Sequence, residues 1–177
     1  MKLHLGCGKR FIPGYVHIDA IEFPHVDHVS AVDKLDFFGD CSAHVIYACH
    51  VLEHFKRSQV KNVLTEWHRI LAYGGILRLA VPDFEALCEL YLRTKSIENV
   101  IGPIFGRQDY LYNFHYNVFD YHSLSCLLAS CGFDNIQRYD WRLTDHATID
   151  DYSQSYFPHL CKDDGLLLSL NVEAVKR

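Results

Sequence analysis

Apolar residues in this chain recur in two rhythms. Short runs with strand-like spacing occupy 2–5, 15–19, 26–32, 44–49, 75–81, 133–141 and 166–175. Between several of them the period lengthens to that of a helix. From Arg57 to Leu71, the positions Val60, Val63, Leu64, Trp67, Ile70 and Leu71 share one face, and Gly74-Gly75 is expected to end the segment. Asp83 can cap a second helix carrying Leu87, Leu90 and Tyr91. Asp120 can cap a third carrying Leu124, Leu127, Leu128 and Cys131, with Gly132 just past its end. Strands alternating with helices predict an α/β fold around a mostly parallel sheet. The last two strands lie on either side of a long polar connection, which predicts antiparallel neighbours.

The first two connections break this pattern. The link between the first strands contains Pro13-Gly14, and the next, around Ile21 to His25, contains Pro24. Both are too short and too interrupted for a full crossover helix. The helices after the first two strands are therefore expected to be reduced or absent, leaving part of one sheet face bare. A second copy of the chain, in a homodimer, is the expected cover.

Composition narrows the function classes. At 177 residues, 49% of them apolar, the chain suits a single domain spanning 1–177. A net charge of −5 argues against nucleic acid or an anionic membrane as partner. No apolar run approaches the ~20 residues that span a bilayer, and no signal-peptide pattern opens the chain. Seven cysteines, an odd count without a Cys-x-x-Cys pair, suit a reducing cytoplasm.

The candidate chemistry starts at Lys2-Leu3-His4-Leu5-Gly6-Cys7-Gly8 and at Asp19, which closes Tyr15-Val16-His17-Ile18. Glycines at a strand end let a ligand approach the backbone closely. A carboxylate at the tip of the neighbouring strand suits a ribose diol, so the pair predicts a nucleoside cofactor. A nicotinamide dinucleotide would need a third glycine opening a helix onto pyrophosphate; Phe11 stands there instead, and Lys9 to Gly14 is not helix-like. His50-Val51-Leu52-Glu53-His54 matches an inverted zinc-protease pattern, but that pattern works only on one helix, and His50 falls at a strand end. No metal is expected there, nor at Asp145, His146, Asp150, Asp151 and His159, which read as a polar loop. For His50 and His115 a packing or loop-stabilising role stands beside any chemical one.

Four spaced motifs resemble the class I S-adenosylmethionine-dependent methyltransferases. They are Leu3 to Gly8 with Pro13 to Asp19, Val45 to His54, Trp67 to Asp83, and Gly132-Phe133 with the closing Ser169 to Ala174. The closest resemblance is to the compact methyltransferase-11-like subgroup, often associated with bacterial surface-sugar clusters. It implies a single Rossmann-like domain with a seven-stranded sheet whose last strand is antiparallel. It further implies S-adenosyl-L-methionine held by the backbone of Leu5, Gly6, Cys7 and Gly8, ribose hydroxyls on Asp19, and adenine near Asp33 and Leu35, for which a solvated aspartate and a core leucine are the alternative reading. His50 would face the cofactor or acceptor, His115 would serve as general base, and His54 joins them as a catalytic candidate. Asp109, Tyr110 and Tyr112 could line the acceptor pocket. Asp36-Phe37 replaces the usual Pro-Phe, and the chain begins at the first strand, without the N-terminal helices that often lid the cofactor. Residues 145–165 exceed what a hairpin needs and are a candidate acceptor-side flap. The implied activity is methyl transfer to a small-molecule acceptor, a sugar or surface-glycan hydroxyl; a cofactor-binding regulatory subunit without catalysis is the alternative.

Overall fold

A computed structural model describes all residues 1–177. Its central sheet contains β1 (Lys2–Leu5), β2 (Val16–Asp19), β3 (His28–Val29), β4 (Ala43–Cys49), β5 (Leu71–Pro82), β6 (Phe133–Arg138) and β9 (Ser169–Lys176). Two further short strands, β7 (Tyr156–Phe157) and β8 (Leu166–Leu167), pair outside it. The order is β3-β2-β1-β4-β5-β9-β6, and only β9 runs antiparallel to its neighbours. This is the mostly parallel, seven-stranded Rossmann-like sheet expected from the sequence.

Helix α1 (Arg57–Ile70) buries the predicted stripe of Val60, Val63, Leu64, Trp67 and Ile70. The Trp67 indole N–H donates to the Val32 carbonyl at 2.8 Å, which ties the helix to the loop after β3. Contrary to expectation, Gly74-Gly75 does not end this helix. The chain passes directly from Ile70 into β5, and both glycines lie within that strand. Asp83 caps α2 (Phe84–Thr94), accepting from the Glu85 N–H at 3.1 Å. Asp120 caps α4 (Tyr121–Ser130), accepting from the Ser123 N–H at 2.7 Å. Helix α3 (Glu98–Phe105) was not foreseen; it contains Pro103 and packs Val100 against Leu87, Leu90 and Leu168. The strand expected at 26–32 shrinks to two exposed residues, His28 and Val29.

The two faces of the sheet differ in chemistry. Leu3, Leu5, Ile18, Ile46, Leu77 and Leu79 enter the main apolar core with residues of α1 and α4. On the other face, cross-strand register lines up His17, His4, Tyr47, Arg78 and Glu173 in one polar row. An apolar helix would leave such a row unsatisfied. The chain covers it with its own segment 139–154. Asp145 accepts from the Tyr15 hydroxyl at 3.1 Å and from Arg78 at 3.3 Å, and pairs with Lys2. Arg78 also bonds Glu173 at 2.6 Å. The Tyr47 hydroxyl donates to Asp151 at 2.6 Å, and His146 lies over the Tyr47 ring at 4.3 Å between centroids. Asn171 donates to the Ser153 carbonyl at 2.9 Å and pins the end of the segment. The face expected to need a homodimer is thus covered from within the chain.

Candidate functional site

Where β1 and β4 leave the sheet, their carboxyl ends open into a cavity of about 660 Å³. This is the crevice in which open α/β sheets bind ligands. Its floor is the Gly6-Cys7-Gly8 loop. Gly6 and Gly8 have φ of +62° and +53°, the left-handed region where a side chain is disfavoured. The Gly6 N–H donates to the Ile18 carbonyl at 2.8 Å. A Cβ on Gly6 would lie 2.4 Å from Val51 Cγ2, so the tight passage also excludes larger residues. Cys7 is buried, and its thiol is pushed up to about 12 by burial and by the nearby Asp19 carboxylate. It remains a protonated thiol rather than a nucleophile.

Asp19 is positioned by the same loop. Its Oδ2 accepts from the Gly8 N–H at 2.7 Å and its Oδ1 from the Ile21 N–H at 2.8 Å. Each carboxylate oxygen keeps a further lone pair for a diol. Beside it the cavity is lined by Ala20, Ile21, Phe23, Ala31 and Val32. These apolar positions form a flat-ring-sized apolar wall beside the carboxylate, and sequence reasoning missed them. The apolar pair flanking Glu22, just past Asp19, was the available signal. Of the two readings of Leu35, the core one holds: its side chain is fully buried in the main core, and its N–H donates to Glu66 at 3.1 Å. Asp33 is likewise outside the lining, and the Leu5 side chain is in the core.

At the opposite end three histidines converge. His50 follows β4 directly with φ of +54°, and its Nε2 lies 3.2 Å from the Ser169 hydroxyl. Burial, helped by His115 and His54, lowers its pKa to about 3. His54 ends the single helical turn Leu52–His54, and its pKa falls to about 4, again chiefly from burial. His115 is lowered by burial as well. All three are therefore neutral imidazoles near pH 7. His54 Nδ1 lies 3.1 Å from the Phe114 carbonyl and His115 Nδ1 lies 2.8 Å from the Pro103 carbonyl. A carbonyl can only accept, so both rings carry their proton on Nδ1 and leave Nε2 as a lone pair. Their centroids are 4.7 Å apart, edge to face. Glu53, between His50 and His54 in sequence, is wholly buried, and burial raises its pKa to about 8.

The remaining wall carries Asp109, Tyr110, Tyr112 and Asn113 from the loop after α3, and Asp151, Tyr152 and Ser155 from the cover segment. Tyr152 stacks near His50 at 5.2 Å. Only the Asp151 to Ser155 end of the 145–165 stretch thus reaches the cavity. Asp145 and His146 are engaged on the sheet face, and His159 is exposed.

Residues 15–79 match the family model Methyltransf_11, a methyltransferase domain. No curated protein matches the sequence. Among solved structures, a 1,6-didemethyltoxoflavin-N1-methyltransferase from Burkholderia thailandensis, with 1,6-didemethyltoxoflavin and S-adenosylhomocysteine bound, is similar at 16% identity and a TM-score of 0.59, covering 99% of this chain and 70% of that one. A SAM-dependent methyltransferase from Methanosarcina mazei is similar at 16% identity and a TM-score of 0.62, covering 99% and 91%. One from Archaeoglobus fulgidus is similar at 12% identity and 0.59, covering 99% and 85%. Residues 15–79 thus carry a methyltransferase-domain match, and the chain as a whole has the fold of these methyltransferase structures.

Proposed function

We propose that this methyltransferase acts on a hydroxyl of a small polar acceptor, of the class of sugars and surface-glycan precursors. The observation that carries the reading is the continuity of one cavity from the Asp19 carboxylate to the paired His54 and His115 rings. S-adenosylmethionine supplies a methyl carbon on a positively charged sulfur, which an acceptor oxygen displaces in line while the carbon–sulfur pair returns to sulfur. Gly6 to Gly8 hold the amino-acid end by backbone groups, Asp19 takes the ribose diol, and Ile21, Phe23 and Val32 flank the base. At the far end the free Nε2 atoms of His54 and His115 face the acceptor hydroxyl. Tyr110, Tyr112 and Tyr152 offer faces for the C–H surface of a sugar ring, while Asp109 and Asn113 offer hydrogen-bonding groups for its hydroxyls. All seven cysteines are free thiols, which supports a reducing, cytoplasmic setting. No helix is long and apolar enough to cross a membrane. The histidine-lined acceptor end gives no support to a purely regulatory subunit.

The test is a melting curve with S-adenosylhomocysteine and NAD in parallel. At 100 times its dissociation constant a ligand stabilises by about 2.7 kcal/mol, and that gain is expected with S-adenosylhomocysteine alone. Asp19→Ala removes two charge-assisted bonds worth about 1.5–3 kcal/mol each, so the shift should vanish. An undiminished shift in that variant refutes the ribose assignment. A subsequent screen of hydroxylated sugars and sugar nucleotides for methyl transfer tests the acceptor class.

A further inference from the structure

We propose that Glu53, His54 and His115 bind one divalent transition-metal ion at the acceptor end of the cavity. Their ligand atoms, one carboxylate oxygen and two imidazole nitrogens, all lie within 4.8 Å of one another. An ion bonded to each at about 2.0–2.2 Å with tetrahedral angles needs edges of about 3.3–3.6 Å, so the longest edge closes by at most about 1.5 Å when the ion binds. The Nδ1–H groups of His54 and His115 are fixed on the Phe114 and Pro103 carbonyls, which is the outer-shell support that metal-bound histidines show. With Nδ1 of each ring engaged on a carbonyl, Nε2 is the nitrogen left to ligate.

Glu53 is the second, independent observation. Its side chain is 0% exposed, and neither oxygen accepts a hydrogen bond. His50 Nδ1 is 3.3 Å from Oε1 but out of hydrogen-bonding geometry. A buried carboxyl group with neither oxygen paired is costly in either protonation state, and a cation held jointly with two imidazoles takes the place of its proton. Two histidines and one carboxylate suit zinc, iron(II), cobalt(II) or manganese(II), and leave coordination positions open. The pattern is not that of a helical zinc protease, because His115 comes from the loop before α4 and His50 stands aside on Ser169.

The site deepens the proposed function, and its acceptor role rests on that reading. An acceptor oxygen would reach the two Nε2 atoms through the ion, which lowers the hydroxyl pKa. The hydroxyl proton leaves to water, the oxygen pair forms the bond to the methyl carbon, and the carbon–sulfur pair goes to sulfur. Acceptors with two adjacent oxygens, which can chelate, are favoured.

Binding is tested on full-length protein stripped with EDTA and titrated with Co²⁺, read by visible absorption and calorimetry, with Zn²⁺ as competitor. One equivalent is expected, displaced by Zn²⁺. Glu53→Gln and His115→Asn should each weaken binding by about 100-fold or more, since even the loss of an outer-shell partner costs 10–100-fold. His25→Asn and Cys126→Ser, which break the Cys7–His25 and Cys126–His122 contacts elsewhere in the molecule, should leave it unchanged. Glu53→Gln is isosteric and should melt at or above the wild-type temperature in EDTA. Absence of a Co²⁺ site in wild type, equal affinity in Glu53→Gln, or loss in the two control variants overturns the proposal. The S-adenosylhomocysteine shift of the Glu53→Gln variant separates the two readings: it persists if only the metal site is wrong, whereas a metal site without any such shift indicts the cofactor reading alone.

Discussion

Acid should destabilise this protein through His4, and the size of the effect follows from where that ring sits. His4 is 2% exposed, stacked on Tyr47 at 5.3 Å and edge-on to His17 at 5.5 Å. Tyr15 and the cover segment, with Asp145, His146 and Asp151, close the same face. Burial, with the neighbouring His17, His146 and His25, lowers its pKa to about 3. Because the folded ring takes up its proton less readily than the unfolded one, stability is full above pH 6.5. It falls as pH drops from about 6.5 toward 3. At pH 5 the unfolded ring is about 1.5 pH units below its own pKa, a gain of about 2 kcal/mol that the folded ring forgoes. The perturbation is His4→Phe, which keeps an aromatic ring and removes the titration. Urea denaturation of both proteins at pH 7.5 and pH 5.0 gives four stabilities. The wild type should lose about 2 kcal/mol more than the variant between those pH values, and the other histidines cancel in the comparison. Equal losses, within about 0.5 kcal/mol, would show that His4 is not held neutral and that the cover is looser than described.

Two further substitutions probe the loop and the cover. Gly6→Ala places a Cβ 2.4 Å from Val51 Cγ2 at a φ of +62°, and should cost about 2–4 kcal/mol and abolish the S-adenosylhomocysteine shift. Adding Val51→Ala should recover the steric share; a single variant that melts and binds like wild type refutes the close passage. Tyr47→Phe deletes the 2.6 Å bond to Asp151 and should cost about 1–3 kcal/mol in urea denaturation, while a loss below about 0.5 kcal/mol would mean that the segment is held without it.

What could be read in advance was what the chain writes locally. Gly6, Gly8 and Asp19 declare themselves because turn, close approach and carboxylate all fall within two short strands and one connection. The α1 stripe declares itself by period. Leu35 stayed undecided between adenine and core because the path of a loop after a two-residue strand is set by Trp67 and Glu66, far along the chain. Gly74-Gly75 misled because pairing of β5 between β4 and β9 overrides the helix-stop signal of the glycines. Helix α3 was hidden by its length and by Pro103. The grouping of Glu53 and His54 with His115 needed the fold, since the third side chain arrives from a distant loop. For the cover there was a faint signal: His4, His17, Tyr47, Arg78 and Glu173 are polar at inward strand positions, where an ordinary buried sheet would be apolar.

One stretch of chain both roofs the polar row and, at Asp151 to Ser155, forms part of the cavity wall. Under the proposed methyl-transfer reading, selection on the acceptor is not free to rewrite that stretch, because each change there is also a change to what keeps the sheet folded. The loop after α3, carrying Asp109 to Asn113 and largely exposed, has no such double duty. On the same reading, diversification of acceptors among relatives with this architecture should concentrate in that loop.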